Sequence, residues 1–233
     1  MTRLAVVGSH NADLTLLADH LPTPGDTVVV TSPALVSWGG RAATRPAAAA
    51  FGAAVTMVGK AGDDQQGRQL LTDLAARGVD GSGVIVASGA RAGGATIAVD
   101  GDGENLILVD PGANSLLSPD EVETAGLPAA EAVIVQLEIP LPTVAAAMSA
   151  AADAIVLTKW RLARSLAGTA DVVVTLGSRG ALVVCRSAAT SVHIAALPAA
   201  AVDTTGAGNC FCDTLAASLA EGQRNSRVVT TAR

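Results

Sequence analysis

The chain has no tyrosine, two phenylalanines and two tryptophans, so aromatics are 2% of its 233 residues. A core built almost without rings must come from alanine, valine and leucine, and a 50% hydrophobic content suffices for one. There are three cysteines, Cys185, Cys210 and Cys212, too few for a disulfide framework. Cys210 and Cys212 lack a second ligand pair, so two small buried residues are expected there rather than a metal site. Basic residues number 15 against 21 acidic, for a net charge of −6, and they form no run. That excludes a nucleic-acid or anionic-membrane surface. The richest apolar region is broken by Glu131, Gln136, Glu138, Pro140 and Asp153, short of a membrane span. The chain enters its first apolar run, Leu4–Gly8, without a basic–apolar–cleavage pattern. One cytoplasmic domain over residues 1–233 is the expectation.

What the chain does have is glycine, with 24 residues. The densest informative stretch is Val202-Asp203-Thr204-Thr205-Gly206-Ala207-Gly208-Asn209-Cys210-Phe211, leading into the apolar run Leu215–Ala220. It reads as a loop feeding a helix N-terminus. Gly206 and Gly208 free the backbone to turn. The amides of Ala207, Gly208 and Asn209 would then face an anion, phosphate above all. An ordinary strand-to-helix turn capped by Thr205 or Asn209 explains the loop equally well. A dinucleotide fingerprint is excluded, because Phe211 stands where a third glycine is required.

Strands are expected over residues 3–8, Val28–Val30, Val55–Val58, Ala95–Val99, Asn105–Val109, Val133–Pro140, Asp171–Leu176, Ala181–Cys185 and Ser191–Ala195. Helices are expected over 68–77, from Ser118-Pro119, and over Pro142–Ala152. Asn11 and Asp13 point to one side of an extended segment and could bind hydroxyls, or form an Asx turn. Glu138 stands at the C-terminal end of a strand, where open parallel sheets bind ligands, though on its own it reads as a solvated strand-end charge. Thr175-Leu176-Gly177-Ser178-Arg179-Gly180 suits nucleotide phosphates; a bare hairpin turn is the alternative.

The glycine loop resembles the Asp-Thr-Thr-Gly-Ala-Gly-Asp-x-Phe signature of the ribokinase (PfkB) family of sugar and nucleoside kinases. Other motifs follow in the family's order. Gly39-Gly40-Arg41-Ala42-Ala43-Thr44 is similar to a Gly-Gly-Lys-Gly-Ala-Asn sugar-binding motif, with Arg41 for lysine and Thr44 for asparagine. Pro111–Asn114, Gln136-Leu137-Glu138 and Thr175–Gly180 match further family segments. The resemblance implies a three-layer α/β/α sandwich with a mainly parallel central sheet. It also implies a small β-sheet lid from residues about 13–37 and 91–109, through which a homodimer would form.

Residue by residue, the resemblance implies that Asn11, Asp13, Gly39, Gly40, Arg41, Thr44 and Glu138 bind a sugar. Thr158 and Thr175–Gly180 would bind ATP, and Gly206, Ala207 and Gly208 would form the anion hole. Mg²⁺ would assist, and a monovalent cation, K⁺, would sit near Asp203 and Thr205. The implied reaction is transfer of the γ-phosphate of ATP to the 5-hydroxyl of D-ribose.

Three departures qualify it. Asn209 replaces the aspartate that acts as base, and a carboxamide cannot take a proton near neutral pH. Thr158-Lys159-Trp160-Arg161 replaces Asn-x-x-Glu, putting a cation where a metal-supporting carboxylate belongs. Elements expected near 152–153, near 168–169 and after about 222 are missing. An impaired sugar kinase is the first reading. The second is a non-catalytic descendant that binds a sugar or a partner, or a decayed gene product.

Overall fold

The computed structural model describes residues 3–38, 53–127, 130–151, 156–159, 172–184, 191–196, 211 and 215. Strand β1, Arg3–Val7, lies inside an eight-stranded sheet. It pairs in parallel with β4, Ala54–Gly62, on one side and with β8, Ala132–Val135, on the other. Beyond β4 lies β5, Asp80–Ala87, also parallel. Beyond β8 lie β9, Val156–Lys159, and β10, Val172–Thr175, both parallel. The antiparallel strands β11, Ala181–Val184, and β12, Ser191–Ile194, complete that edge.

The apolar composition of the central strands follows from burial on both faces. Leu4 and Val6 pack with Val55, Met57, Ile134 and Leu74, the last from helix α1, Gln65–Ala76. Ala5 and Val7 point the opposite way and pack with Val133, Val135, Val144, Ala147 and Met148. The last three belong to helix α3, Leu141–Ala150, which packs beside the short α2, Pro119–Glu123. The result is a three-layer α/β/α sandwich. Each large apolar side chain held in these layers contributes about 1.5–3 kcal/mol.

A second sheet has the order β3-β2-β6-β7, with β2 Asn11–Leu17, β3 Leu35–Trp38, β6 Gly93–Val99 and β7 Asn105–Asp110. The expected strand at Val28–Val30 is not formed. Val29 is 80% exposed, and the pairing falls to β3 instead, which lies antiparallel to β2. A β-branched run without a neighbour for its backbone groups is not a strand.

Two side chains join the sheets to the helices. Asp64 caps α1 through the Gly67 N–H at 2.7 Å and also accepts the Ala92 N–H at 2.9 Å. Burial raises its carboxyl, but those two N–H groups and the Arg68 charge outweigh burial and hold it below the usual range. Ser118 and Glu121 form a reciprocal capping box at α2, as Ser118-Pro119 led one to expect. Lys60 on β4 donates to both oxygens of Glu121, at 2.6 and 2.9 Å, and to the Leu116 carbonyl.

Candidate active site

Strand β1 ends at Val7, and the chain crosses to the second sheet through Gly8, Ser9 and His10. Strand β8 ends at Val135, earlier than expected, so Glu138 lies in the bend that follows rather than on the strand. That bend turns Glu138 back toward the crossing. Ser9 Oγ donates to Glu138 Oε2 at 2.8 Å, and Asn11 Nδ2 donates to the same oxygen at 3.2 Å. Gln136 Oε1 lies 3.2 Å from the Ser9 hydroxyl, whose single proton goes to the nearer Glu138 carboxylate. On the far side, Asn114 Nδ2 donates to Asn11 Oδ1 at 2.7 Å, and Asn114 Oδ1 accepts the His10 backbone N–H at 2.9 Å.

Two of the candidate residues, Asn11 and Glu138, therefore touch directly. Asp13 follows two positions along β2, in register with Ser37 of β3 and Ala95 of β6. Asn11 is 3% exposed, and its Oδ1 and one of its N–H groups are engaged inside the protein. It supports the site more than it offers a free amide to it. Glycine at 93 permits this arrangement: a Cβ there would run into Asn114 Nδ2, Asn11 Oδ1 and the Pro111 carbonyl.

Thr175–Gly180 is the tight connection between β10 and β11, with a 3-10 turn over Gly177–Arg179. The Leu176 N–H donates to the Gly180 carbonyl at 2.7 Å. Gly180 has φ +96°, and a Cβ on it would strike the Ile194 carbonyl. His193 Nε2 lies 2.7 Å from the Arg179 carbonyl and braces the turn from β12. Since β1, β8, β9 and β10 run parallel, this turn and the Ser9–Glu138 cluster share the C-terminal edge of one sheet. Glu138 and Thr175 follow strands two positions apart, about 10 Å at ordinary strand spacing.

Thr158 sits on β9 between them, in register with Val174. Gly39, Gly40, Arg41, Thr44, Asp203, Thr205, Gly206, Ala207, Gly208 and Asn209 lie outside the described residues, as do Trp160 and Arg161. Among the described residues no group of three or more His, Cys, Asp or Glu is arranged to hold a metal ion. None of the described helices is long and apolar enough to cross a membrane.

Sequence reasoning missed Ser9, Asn114 and His193. Ser9 continues the alternation of Asn11 and Asp13, and that signal could have found it. Asn114 reaches the site across 103 residues of sequence, and His193 acts through a backbone carbonyl, so neither carries a local signal.

A three-layer sandwich with a β lid, and polar groups at the C-terminal sheet edge beneath it, defines the class. The chain matches the model of the pfkB family carbohydrate kinases over residues 1–163 and 145–232, and it belongs to that family. It is 31% identical to the ribokinase of Bacillus subtilis over 259 residues, covering 96% of this chain and 87% of that one. It is 34% identical over 156 residues to a bifunctional ribokinase/ribose-5-phosphate isomerase A of Fructilactobacillus sanfranciscensis, covering 66% of this chain and 29% of that longer protein. Its fold matches the Arabidopsis thaliana ribokinase solved with ribose and ATP at a TM-score of 0.75. That match has 24% identity and covers all of this chain and 90% of the other. By family the chain is an ATP-dependent carbohydrate kinase, which implies ATP and a divalent metal ion.

Proposed function

We infer that this chain binds D-ribose under its lid and phosphorylates it slowly at the 5-hydroxyl, with Mg²⁺-bound ATP as donor. The observation that carries the reading is the contact of Asn11 with Glu138 at the crossing from β1 to the lid, with Asp13 two positions further along β2. Fixed carboxylates and amides at a strand edge are what a polyhydroxyl ligand needs, because each buried hydroxyl must find a partner. The Thr175–Gly180 turn on the same edge takes the nucleotide, with Thr158 between them. Gly39, Gly40, Arg41 and Thr44 complete the sugar site. Gly206, Ala207 and Gly208 hold the transferred phosphate, and K⁺ binds at Asp203 and Thr205. ATP as co-substrate carries a cytoplasmic location with it. Calorimetry with ribose and with an ATP analogue tests the reading: saturable binding of both supports it, and no ribose binding removes it.

Phosphoryl transfer needs alignment, charge neutralisation and acceptance of the hydroxyl proton. Asp13 and Glu138 align the sugar, and the glycine loop neutralises charge on the phosphate. Asn209 orients the hydroxyl without deprotonating it, so turnover is slow. The same substitution favours a second reading, a sugar-binding protein without catalysis.

The lid supports a homodimer. Leu35 and Val36 on β3 are 58% and 54% exposed, and Leu108 and Val109 on β7 are 66% and 46% exposed. Apolar side chains on both edge strands of a small sheet favour pairing with a second copy. Light scattering should give twice the monomer mass, and a monomer at high concentration would refute the dimer.

A further inference from the structure

Asn114 is 1% exposed and sits on the 3-10 turn Gly112–Leu116, outside the sugar cluster itself. Its amide orientation is unambiguous. Oδ1 takes a backbone N–H, that of His10, which can only donate. Nδ2 must therefore be the group facing Asn11, and it donates to Asn11 Oδ1. That in turn fixes the Asn11 amide, so its Nδ2 faces Glu138 Oε2. A backbone donor at position 10 is thus read through two amides into the polarity presented to a carboxylate.

We propose that Asn114 is the positioning residue that sets the donor direction of the sugar site, holding the Asn11 amide so that N–H rather than carbonyl faces Glu138. The proposal rests on the ribose-binding reading only for its ligand readout. If the Asn11 amide turned over, its carbonyl oxygen would face the Glu138 carboxylate, and two acceptors would oppose each other at hydrogen-bond distance. Glu138 would then have to move or lose its orientation toward the ligand. Gly93 corroborates the role, because the absence of a side chain there leaves room for the Asn11–Asn114 bond.

The test is N114D, which changes one atom type and keeps the shape. The ionised carboxylate still accepts the His10 N–H but cannot donate to Asn11 Oδ1. Asn11 then turns its own N–H toward position 114. When the new carboxyl is protonated, its O–H donates to Asn11 Oδ1 and restores the original direction. Burial raises the pKa of such a group. Titrating ribose into N114D should therefore show affinity about tenfold or more below wild type near pH 8, recovering near pH 5.5. Wild type measured at both pH values is the reference.

A second measurement needs no sugar. In a stability cycle of N114D with E138Q near pH 8, E138Q should destabilise the wild-type background. It should be neutral or stabilising in N114D, because the new amide can donate to the turned Asn11 carbonyl. Unaltered ribose affinity in N114D near pH 8, weak binding without recovery at low pH, or additive effects in the cycle would each overturn the proposal. If wild type binds no ribose, the ribose reading falls and the cycle alone decides this one.

Discussion

The Ser9 hydroxyl donates to Glu138 Oε2 at 2.8 Å across 129 residues of sequence, tying the end of β1 to the bend after β8. Ser9 is 1% exposed, so no solvent replaces it if it is removed. In S9A Glu138 Oε2 loses the nearer of the two donors that the described residues give it, and the Asn11 N–H stays. A hydrogen bond to a charged group contributes about 1.5–3 kcal/mol, so ribose affinity should fall roughly tenfold or more. Calorimetry on S9A with a native-like melt checks this, and unchanged affinity would show that Ser9 does not hold Glu138 for the sugar.

His10 is wholly buried, and neither ring nitrogen has a hydrogen-bond partner among the described residues. Burial lowers its pKa from 6.5 to about 4, against a small opposing pull from Asp73. Well above pH 6.5 the ring is neutral in both states and contributes no pH dependence. As pH falls below that, the unfolded chain takes up a proton that the folded chain refuses, so stability drops down to about pH 4. The full effect is on the order of 3 kcal/mol. H10L should flatten the stability profile between pH 7 and 5 and raise stability overall, since it removes two buried nitrogens that no described residue pairs. Urea denaturation at a series of pH values is the measurement, and an identical slope in H10L would contradict it.

A methyl group at position 93 would enter the Asn11–Asn114 bond from β6. G93A should cost about 1–3 kcal/mol and weaken ribose binding as well. G81A is the control, because its Cβ would meet only Leu74 Cδ1, at 3.9 Å. Denaturation midpoints of the two variants should separate clearly; equal midpoints would mean the crossing can rearrange.

The central sheet was legible because parallel strands buried on both faces are continuous apolar runs, such as Leu4–Val7 and Val133–Val135. The spacing of Asn11 and Asp13 put them on one side of an extended segment, and Glu138 was placed near a strand end, but their assignment to a sugar came only from the family resemblance. Val28–Val30 misled because composition reports a preference for extended backbone and not the presence of a partner strand. Asn114 was silent for a different reason. Its role comes from a turn that the chain reaches only after β6 has paired with β2 and β7 with β6, and no local pattern encodes that contact.

The account stands or falls on Asn209, where a base is expected and a carboxamide is found. Loss of a positioned base slows proton transfer about 10²–10⁴-fold. On the proposed reading Arg161 would be a second defect at the same transition state, so N209D alone should recover only part of the rate. The direct measurement is ribose-dependent ADP release by the purified protein and by N209D. We expect wild-type turnover well below the ordinary kinase range of about 1–100 s⁻¹ and a modest gain in N209D. Wild-type turnover within that range would contradict the account.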